Sequence, residues 1–150
     1  MNRQPLIPLD TEVPDPPEHP RFHFEVLGPE HNAPDLEAWS TSIDHIHRTP
    51  GFRPDGWPER AYSLQENLAD LRQHRDHHQR RLDFAWTVLD PARPDMVIGC
   101  VYLKPDPTGA AQAEGRSWVR VDRADLDQEL RDHLRPWFAG SWPIRIRYDA

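Results

Sequence analysis

The sequence predicts one α/β (α+β) domain built on a mixed sheet, with the element order β-α-α-β-β-β-α-β. The first observation is an apolar run over residues 96–103, which has strand length and is apolar on both faces, as in the interior of a sheet. The second is that strand-like segments at 84–89 and 116–121 flank this run across short loops rich in proline and aspartate, which predicts an antiparallel meander. The third is a strand–helix–strand pattern at the C-terminal end, which makes the last two strands parallel.

Composition limits the functional classes. A chain of 150 residues with 37% hydrophobic and 29% charged residues suits one domain with one core. The net charge is −7 and no basic stripe is visible, which argues against a nucleic-acid partner. No apolar run has the length of a membrane span and no signal-peptide core is visible, so we expect no membrane segment and a cytoplasmic protein. The only cysteine, Cys100, lies in the apolar run, which favours a buried structural thiol.

Residues 1–20 form a proline-rich leader, and residues 21–150 form the predicted domain. Proline removes backbone donors and blocks helix formation, so the leader is either disordered or an extended strap. Its apolar residues favour the strap and leave both alternatives open. They are Leu6, Ile7, Leu9 and Val13.

The first strand is predicted at Arg21–Leu27, where apolar and polar residues alternate. A helix begins near Asn32, with a capping residue followed by proline and an acid in the first turn. Its apolar stripe, at spacings of three and four, continues to Ile46. The following loop, residues 51–62, holds three aromatic residues, which either line a pocket or cap the core.

The second helix is predicted to begin at a capping box, Ser63-Leu64-Gln65-Glu66. Its apolar face is expected to contain Leu64, Leu68, Leu71 and Leu82. A third helix is predicted over 122–138, with Gly140 as its C-terminal stop. The chain then closes with a strand at Trp142–Tyr148.

This order resembles that of the GCN5-related N-acetyltransferase (GNAT) superfamily over about residues 21–148. The segments that carry the resemblance are Glu66-Asn67-Leu68, Phe84-Ala85-Trp86-Thr87-Val88 and Val97-Ile98-Gly99-Cys100-Val101-Tyr102-Leu103. The resemblance implies a GNAT-like mixed sheet that lacks the usual C-terminal helix and two strands. It also implies acyl transfer from acetyl-coenzyme A to a small-molecule or peptide amine.

In that family the fourth strand and the helix after it hold acetyl-coenzyme A. The pantetheine arm pairs with the strand backbone where the fourth and fifth strands splay apart, and the pyrophosphate lies on backbone N–H groups at the helix N-terminus. The resemblance therefore implies a set of cofactor-binding positions in this chain. They are Trp118, Val119, Arg120, Val121, Arg123, Ala124, Asp125 and Leu126.

The loop at those positions departs from the family pattern, because residues 122–128 contain three aspartates and no glycine. A carboxylate near a pyrophosphate oxygen costs roughly 1–4 kcal/mol, whereas the helix dipole contributes only about 0.3–1 kcal/mol. Asp122 and Asp125 are therefore predicted to be helix-capping carboxylates, with Arg123 and Arg120 as compensating charges. Two hypotheses follow: an N-acetyltransferase, or a non-catalytic binding module with a degenerate coenzyme A loop.

Acetyl transfer to an amine needs a base for the ammonium group and an acid for the departing thiolate. The candidate base is Glu114, just before the fourth strand, with a solvated loop carboxylate as the favoured alternative. The candidate acids are Tyr102 and Tyr148, and the alternative for Tyr102 is core packing with its hydroxyl at the surface. Further candidate bases are Glu25, Asp55 and Glu59.

Nine histidines raise the question of a metal site. His74, His77 and His78 fall on adjoining positions of the second helix, one turn after Asp70, and histidines four apart can chelate a divalent metal. Arginines at 72, 75, 80 and 81 disfavour a bound cation, so a solvated, charged helix face is predicted and no metal.

The last strand is expected to present an open edge. The leader, a second subunit, or the solvated side chains of Arg145 and Arg147 are alternative ways to protect it. We expect a homodimer through this edge.

Overall fold

A computed structural model of the chain describes residues 3–148. Its five strands form one mixed sheet in which spatial order equals chain order. The strands are β1 (His23–Val26), β2 (Phe84–Asp90), β3 (Arg93–Pro105), β4 (Ala113–Val119) and β5 (Ile146–Arg147). The first four pair antiparallel and β4 pairs parallel with β5, so the predicted fold class and the parallel last pair are confirmed.

The β2–β3 hairpin is longer than predicted. The expected turn over 90–95 shrinks to two residues, because the Asp90 carboxylate accepts a hydrogen bond from the Ala92 N–H at 2.8 Å and closes a tight turn. Pro94 is tolerated inside β3 because that end of the strand is exposed. The apolar run in the middle of β3 is buried on both faces, as its composition predicts.

Three α-helices, not two, and a short 3-10 helix over Pro29–His31 separate β1 from β2. The α-helices are α1 (Asn32–Ser40), α2 (Ile43–His47) and α3 (Leu64–Gln79). The predicted first helix breaks after Ser40, since the hydroxyls of Thr41 and Ser42 donate to the carbonyls of Glu37 and Ala38, both at 2.8 Å. Such side-chain bonds compete with the helical ladder.

The capping box of α3 is confirmed. The Glu66 N–H donates to the Ser63 hydroxyl at 3.1 Å, and the Ser63 N–H donates to the Glu66 carboxylate at 2.9 Å. The predicted apolar face is wrong at both ends, because Leu64 is 55% exposed and Leu82 lies beyond the helix end. The face that packs inward contains Asn67, Leu71, His74 and His78. Their spacing of four, three and four is helical, but three of the four are polar, so the hydrophobic pattern of the sequence does not identify this face as buried.

The predicted third helix divides in two. Val121–Leu126 is a 3-10 helix, and α4 (Asp127–Gly140) follows it. Gly140 is the last residue of α4 and not a stop beyond it. The expected inward positions Leu130, Leu134 and Trp137 are buried.

The predicted last strand is too long, because only two of its residues form β5. Trp142 lies outside β5, and its ring packs against those of Phe84 and Trp86, with centroid distances of 5.2 and 6.1 Å. The homodimer through the β5 edge stays a prediction, which sedimentation at high protein concentration tests.

Two cores lie on opposite faces of the sheet. One is covered by α4 and includes Ile7 of the leader, which is 1% exposed; the neighbouring Leu6 N–H donates to the Arg81 carbonyl at 2.7 Å. The other is covered by α1 and α3 and contains Cys100, where burial raises the pKa of the thiol. Within residues 3–148, no helix has the length and apolarity needed to cross a membrane.

Candidate functional site

A cavity of about 260 Å³ opens on the face of the sheet that α1 and α3 cover. We call it the aromatic cavity. Its aromatic wall consists of Trp39, Phe52, Trp57 and Tyr102. The charged and titratable side chains that line it are Asp35, Arg53, Asp70, His74, Lys104 and Arg116.

The aromatic wall comes from three separate parts of the chain. Trp39 lies on α1, Tyr102 on β3, and Trp57 in the aromatic loop between α2 and α3. The Trp57 ring lies 5.3 Å from Trp39 and 6.3 Å from Tyr102, measured between centroids. Phe52, at the start of the same loop, lies 6.2 Å from Trp57. Two of the three aromatic residues of this loop therefore line a cavity, while Tyr62 packs edge-on against Trp39 at 4.9 Å.

Asp35 is a buried carboxylate in the cavity wall. It is only 4% exposed, and within residues 3–148 its side chain accepts one hydrogen bond, from the Asn67 amide at 3.1 Å. Burial raises the pKa of Asp35 from its ordinary 3.8 to about 6, since the bond from Asn67 offsets only part of the desolvation of the charge. An uncharged amide is thus the main compensation for this carboxylate.

Asn67 also positions the neighbouring indole. Its side-chain oxygen accepts a hydrogen bond from Trp39 Nε1 at 3.1 Å, and its amide nitrogen donates to Asn32 as well as to Asp35. One buried amide on α3 therefore fixes both a carboxylate and an aromatic face that come from α1.

A second carboxylate in the cavity wall is Asp70, which lies one turn before His74 on α3. Asp70 Oδ2 lies 3.4 Å from His74 Nε2, and the imidazole lies 5.9 Å from the Tyr102 ring. The cavity thus offers two carboxylates on two helices, facing aromatic rings from the sheet and the loop. This combination suits a cationic group.

Tyr102 lies in this wall, with its hydroxyl inside the protein and not at the surface. The hydroxyl accepts a hydrogen bond from Trp118 Nε1 at 3.0 Å, and burial raises the pKa of Tyr102 well above its ordinary value. The surface-hydroxyl alternative is therefore wrong. The role of Tyr102 as an acid stays a prediction.

Glu114 is not a solvated loop residue, because it lies in β4 and is 6% exposed. One carboxylate oxygen accepts from Arg116 Nε at 2.5 Å, and the other accepts from Arg147 Nη2 at 2.7 Å. The sequence hides this burial, since a polar residue between alanine and glycine is typical of a loop. Both oxygens of Glu114 are therefore bonded to guanidinium groups, and its role as a base stays a prediction.

The other three candidate bases lie outside the aromatic cavity. Glu25 lines a larger groove, of about 910 Å³, along β1. Hydrogen bonds from His31 and His23, at 2.9 and 3.0 Å, lower the pKa of Glu25. Asp55 is exposed and bonded to Arg53, and Glu59 is exposed.

The cleft between β4 and β5 is the place where the family resemblance puts pantetheine. We call it the β4–β5 cleft: the stretch 115–119 of β4, beyond its pairing with β5, together with the groups that face it. Tyr148 enters this cleft, with its hydroxyl 2.5 Å from the Ser117 hydroxyl and its ring so close to Gly115 that a Cβ there would lie 3.2 Å from it. Burial raises the pKa of Tyr148.

Arg131 of α4 also lies in the β4–β5 cleft. It is 2% exposed, and its Nη2 donates to the Ser117 carbonyl at 3.4 Å and to the Pro50 carbonyl at 3.3 Å. Its Nε donates to Asp127 at 2.9 Å, and its guanidinium group lies 5.7 Å from the Tyr148 ring centroid. A backbone acceptor that a pantetheine amide would need is therefore taken by a side chain.

The loop expected to hold pyrophosphate is also engaged by the protein itself. The Val121 N–H donates to the Ser42 hydroxyl at 2.9 Å, and the Arg123 N–H donates to the Arg120 carbonyl at 3.0 Å. Arg120 binds Asp122 at 2.6 Å and Glu37 at 2.8 Å, and Arg123 binds Asp90 at 3.1 Å. Both predicted compensating charges are therefore already paired with carboxylates.

The remaining predicted cofactor positions are divided between core and surface. Trp118, Val119 and Leu126 are buried, while Ala124 and Asp125 are exposed. The groups present in the cleft and the loop do not fit coenzyme A, because the strand acceptor, the space beside it and two of the loop donors are occupied by protein groups.

The three neighbouring histidines of α3 do not converge. His74 pairs with Asp70, His77 Nδ1 lies 3.0 Å from Asp83, and His78 is buried edge-on against Phe84 and Trp86. In the stretch 3–148, no group of three or more His, Cys, Asp or Glu side chains is arranged to hold a metal ion.

Comparison with known proteins identifies relatives of the fold only. No protein-family model matches the sequence, and no curated protein sequence matches it. Among solved structures, the RimL ribosomal L7/L12 alpha-N-protein acetyltransferase in complex with coenzyme A is similar, with a TM-score of 0.61 and 12% identity over 83% of this chain and 67% of that chain. The ribosomal-protein-S5-alanine acetyltransferase from Vibrio fischeri is also similar, with a TM-score of 0.59 and 11% identity over 83% of this chain and 67% of that chain. Identities this low establish a shared fold and carry no residue roles across.

Proposed function

Because the chain has the fold of the GCN5-related N-acetyltransferases, we propose that its aromatic cavity binds a small primary amine and that N-acyl transfer to this amine is its reaction. The observation that carries the proposal is Asp35, a carboxylate buried in an aromatic wall with one amide as its bonded partner. A bound ammonium group would restore the charge compensation that burial removes.

The aromatic rings support the same ligand. A cation held against the faces of Trp, Tyr or Phe gains about 0.5–2 kcal/mol, with the larger values for desolvated sites. Trp39, Trp57 and Tyr102 surround the space next to Asp35 and Asp70. The ordinary alternative is that Asp35 only ties α1 to α3 through Asn67. That role needs no adjoining cavity.

Asp35 also has the acidity that amine chemistry requires. An ammonium group must lose a proton before its nitrogen can attack an acyl carbon, and a base works best when its pKa is near the working pH. The pKa of Asp35, at about 6, is closer to neutrality than that of an ordinary aspartate. We assign Asp35 the role of cation partner and proton acceptor, with Asp70 and His74 beside it.

The acyl donor is the less supported half of the proposal. Acetyl-coenzyme A is the donor that the fold implies, yet Arg131 and Tyr148 fill the cleft in which it would lie. We therefore assign no donor step to any residue. This filled cleft favours a second candidate function, an amine-binding module without transfer.

Calorimetric titration with phenethylamine and isoamylamine tests amine binding, with 2-phenylethanol as the uncharged control ligand. Asp35→Asn is expected to weaken amine binding at least about tenfold, which is ~1.4 kcal/mol. Asp44→Asn, which changes an exposed carboxylate on α2, is the matched control and leaves the affinity unchanged. Equal binding of the alcohol and the amine contradicts the proposal.

Incubation of the protein with acetyl-coenzyme A and the amine that binds most tightly tests transfer, with release of free thiol and the mass of the amine as readouts. Thiol release that depends on the amine and on Asp35 supports N-acyl transfer. Amine binding without thiol release contradicts transfer and identifies a binding module.

A further inference from the structure

We infer that the outer edge of β1 is a docking site for an extended, basic peptide segment, which adds a strand to the sheet beside β1. The site is the groove of about 910 Å³ along this strand, which we call the β1 groove. None of the described residues that line it also lines the aromatic cavity, so the interaction is independent of the proposed amine site. The evidence comes from the backbone of β1, the leader next to it and the charge of the groove.

The backbone of β1 has hydrogen-bonding groups on its outer side, because β1 is an edge strand of the sheet. The Leu27 N–H, just after β1, donates to the Ala85 carbonyl of β2 at 3.0 Å. The direction of these groups alternates from one residue to the next along an antiparallel strand, so Phe24 and Val26 direct their N–H and C=O groups away from β2. Within residues 3–148, these outward groups have no hydrogen-bond partner.

The proline-rich leader begins to pair with this edge and does not continue. His19 and Phe22 form an isolated antiparallel bridge, in which the Phe22 N–H donates to the His19 carbonyl at 3.3 Å. Further back in the leader, Pro16 and Pro17 have no N–H to donate to a neighbouring strand. The Pro17 carbonyl instead accepts a hydrogen bond from Nε2 of His133 on α4 at 2.7 Å. The leader is thus tied to α4, and the β1 groove lies between the leader and the strand.

The charge of the β1 groove identifies the kind of segment that fits it. Among the described residues that line the groove, none is lysine or arginine and four are carboxylates: Asp15, Glu18, Glu25 and Asp90. Glu25 is bonded to two histidines and Asp90 to an arginine. Asp15 and Glu18 are exposed, and neither forms an ion pair in the described part of the chain. A basic segment is therefore the complementary occupant.

The groove also offers apolar surface to alternate side chains of an added strand. Val26 is 39% exposed at the edge, and Phe24, two residues before it on the same face, is half-buried. Trp86 of β2, opposite Val26 in the register, lines the groove as well. In strand addition the main-chain hydrogen bonds provide affinity and side-chain contacts of this kind provide specificity. A segment in which basic and apolar residues alternate matches both properties of the groove.

Most edge strands are protected and need no partner. The ordinary protections are a short strand, charged side chains and a covering segment. β1 has the first two in part, since it has four residues and contains Glu25. It differs from a protected edge in that Val26 is exposed on it and that the segment beside it is rich in proline and bonded to α4.

A hexapeptide of alternating arginine and valine, acetylated and amidated at its ends, is the probe. It contains no primary amine, so the proposed amine site does not recognise it. Binding to the isotope-labelled full chain is measured by NMR titration. The amide signals of Phe24 and Val26 are expected to shift, and their hydrogen exchange to slow at least about tenfold. A hexapeptide of alternating glutamate and valine is the charge-reversed control and is expected not to bind.

Two protein variants test the backbone and the charge separately. Val26→Pro removes an outward N–H and no hydrogen bond to β2, and it is expected to weaken peptide binding at least about tenfold. Val26→Thr, which keeps the N–H and the shape, is the matched control and is expected to change the affinity less than about threefold. Asp15→Asn with Glu18→Gln is expected to weaken binding several-fold and to leave the free energy of unfolding unchanged.

A peptide with methylated backbone nitrogens tests the same hydrogen bonds on the native protein, even where Val26→Pro does not fold. It keeps the charge, loses its donors and is expected to bind at least about tenfold more weakly than the parent peptide. If it binds as tightly as the parent, the attraction is by charge alone and strand addition is wrong. If the parent peptide does not bind, or shifts only signals away from β1, the docking site is overturned.

Sedimentation of the native protein and of Val26→Pro tests the alternative occupant, a second copy of the chain. Self-association that Val26→Pro abolishes assigns the edge to another copy and overturns the peptide assignment. A sedimentation profile that Val26→Pro leaves unchanged, together with loss of peptide binding, supports the peptide. Because the amine titrations do not involve the β1 groove, this inference and the proposed function can fail independently.

Discussion

The aromatic cavity and the β4–β5 cleft make opposite use of their charges. In the cleft, the buried Arg131 has a carboxylate partner in Asp127 and carbonyl partners at Pro50 and Ser117. In the cavity, Asp35 is held by an amide and Lys104 by an aromatic ring. Where charges are compensated within the protein, a charged ligand gains little electrostatic stabilisation. Buried or half-buried charges without a counterion instead favour binding of a ligand of opposite charge. The cavity, and not the cleft, is therefore the better candidate for a binding site.

The largest expected effect is a loss of stability when the β4–β5 cleft is altered. Arg131→Ala removes a buried guanidinium group and leaves Asp127 and two carbonyls without their donor, which we expect to cost about 3–5 kcal/mol in the free energy of unfolding. Urea denaturation measures it. Arg131→Met, which keeps much of the side-chain volume, is expected to lose less. A loss below about 1 kcal/mol for Arg131→Ala contradicts the view that the cleft is a compensated interior.

The cavity is expected to behave in the opposite way when its charge is removed. The pKa of Asp35 rises from 3.8 to about 6 on folding, so the folded state binds the proton more tightly. The stability contributed by this group is present below about pH 4 and falls as the pH rises through 6, by about 3 kcal/mol. Asp35→Asn is expected to be more stable than the native protein above pH 6, by up to that amount. Urea denaturation of both proteins from pH 4 to 8 measures the difference.

The difference in the free energy of unfolding between the native protein and Asp35→Asn must be compared, because His78 changes the stability of both proteins in the same pH range with the opposite sign. Burial lowers its pKa from 6.5 to about 4, so its contribution is present above 6.5 and is lost as the pH falls. Both proteins contain His78, and its effect cancels in the comparison. A difference that does not change with pH shows that Asp35 is not desolvated.

A smaller effect is expected on opening the cleft. Tyr148→Ala removes the ring next to Gly115, and we expect affinity for coenzyme A to rise roughly tenfold, or ~1.4 kcal/mol. Calorimetry with coenzyme A measures it. Tyr148→Phe keeps the ring and is the matched control, for which no gain is expected. An unchanged affinity in Tyr148→Ala means that this ring does not limit access to the cleft.

The smallest effect concerns the acidic loop. Asp122 and Asp125 are exposed, so Asp122→Ala with Asp125→Gly is expected to change the free energy of unfolding by less than about 1 kcal/mol. Removal of two negative charges is expected to raise affinity for coenzyme A only a few-fold, because Arg131 and Tyr148 still fill the cleft. The prediction that these aspartates cap the helix is wrong, because neither helix start in this loop has a side-chain capping hydrogen bond, and Asp122 binds Arg120 instead. If the changes instead abolish an acyltransferase activity, the argument that the two carboxylates repel a pyrophosphate is wrong as well.

Much of the fold follows from local sequence. Strand length and double-sided apolarity predict β3, the Ser63–Glu66 pair predicts the start of α3, and the strand–helix–strand order predicts the parallel last pair. These features depend on residues within a few positions of one another. The resemblance to N-acetyltransferases, which rests on this order, is confirmed at the level of the fold.

The candidate site depends on contacts that local patterns do not report. Asp35 and Asn67 are 32 residues apart, and Asp35 reads as an ordinary first-turn acid until α3 packs against α1. Glu114 reads as a loop residue until two arginines reach it, and the polar face of α3 reads as solvated until Asn67 and His78 prove to be buried. One property of the site was predictable from local sequence: the loop lacks glycine and is acidic, which predicts that the protein's own side chains occupy the pyrophosphate position. Sequence periodicity thus determined which elements form, whereas tertiary packing decided which charges lost their water, because desolvation depends on distant residues that close over a group.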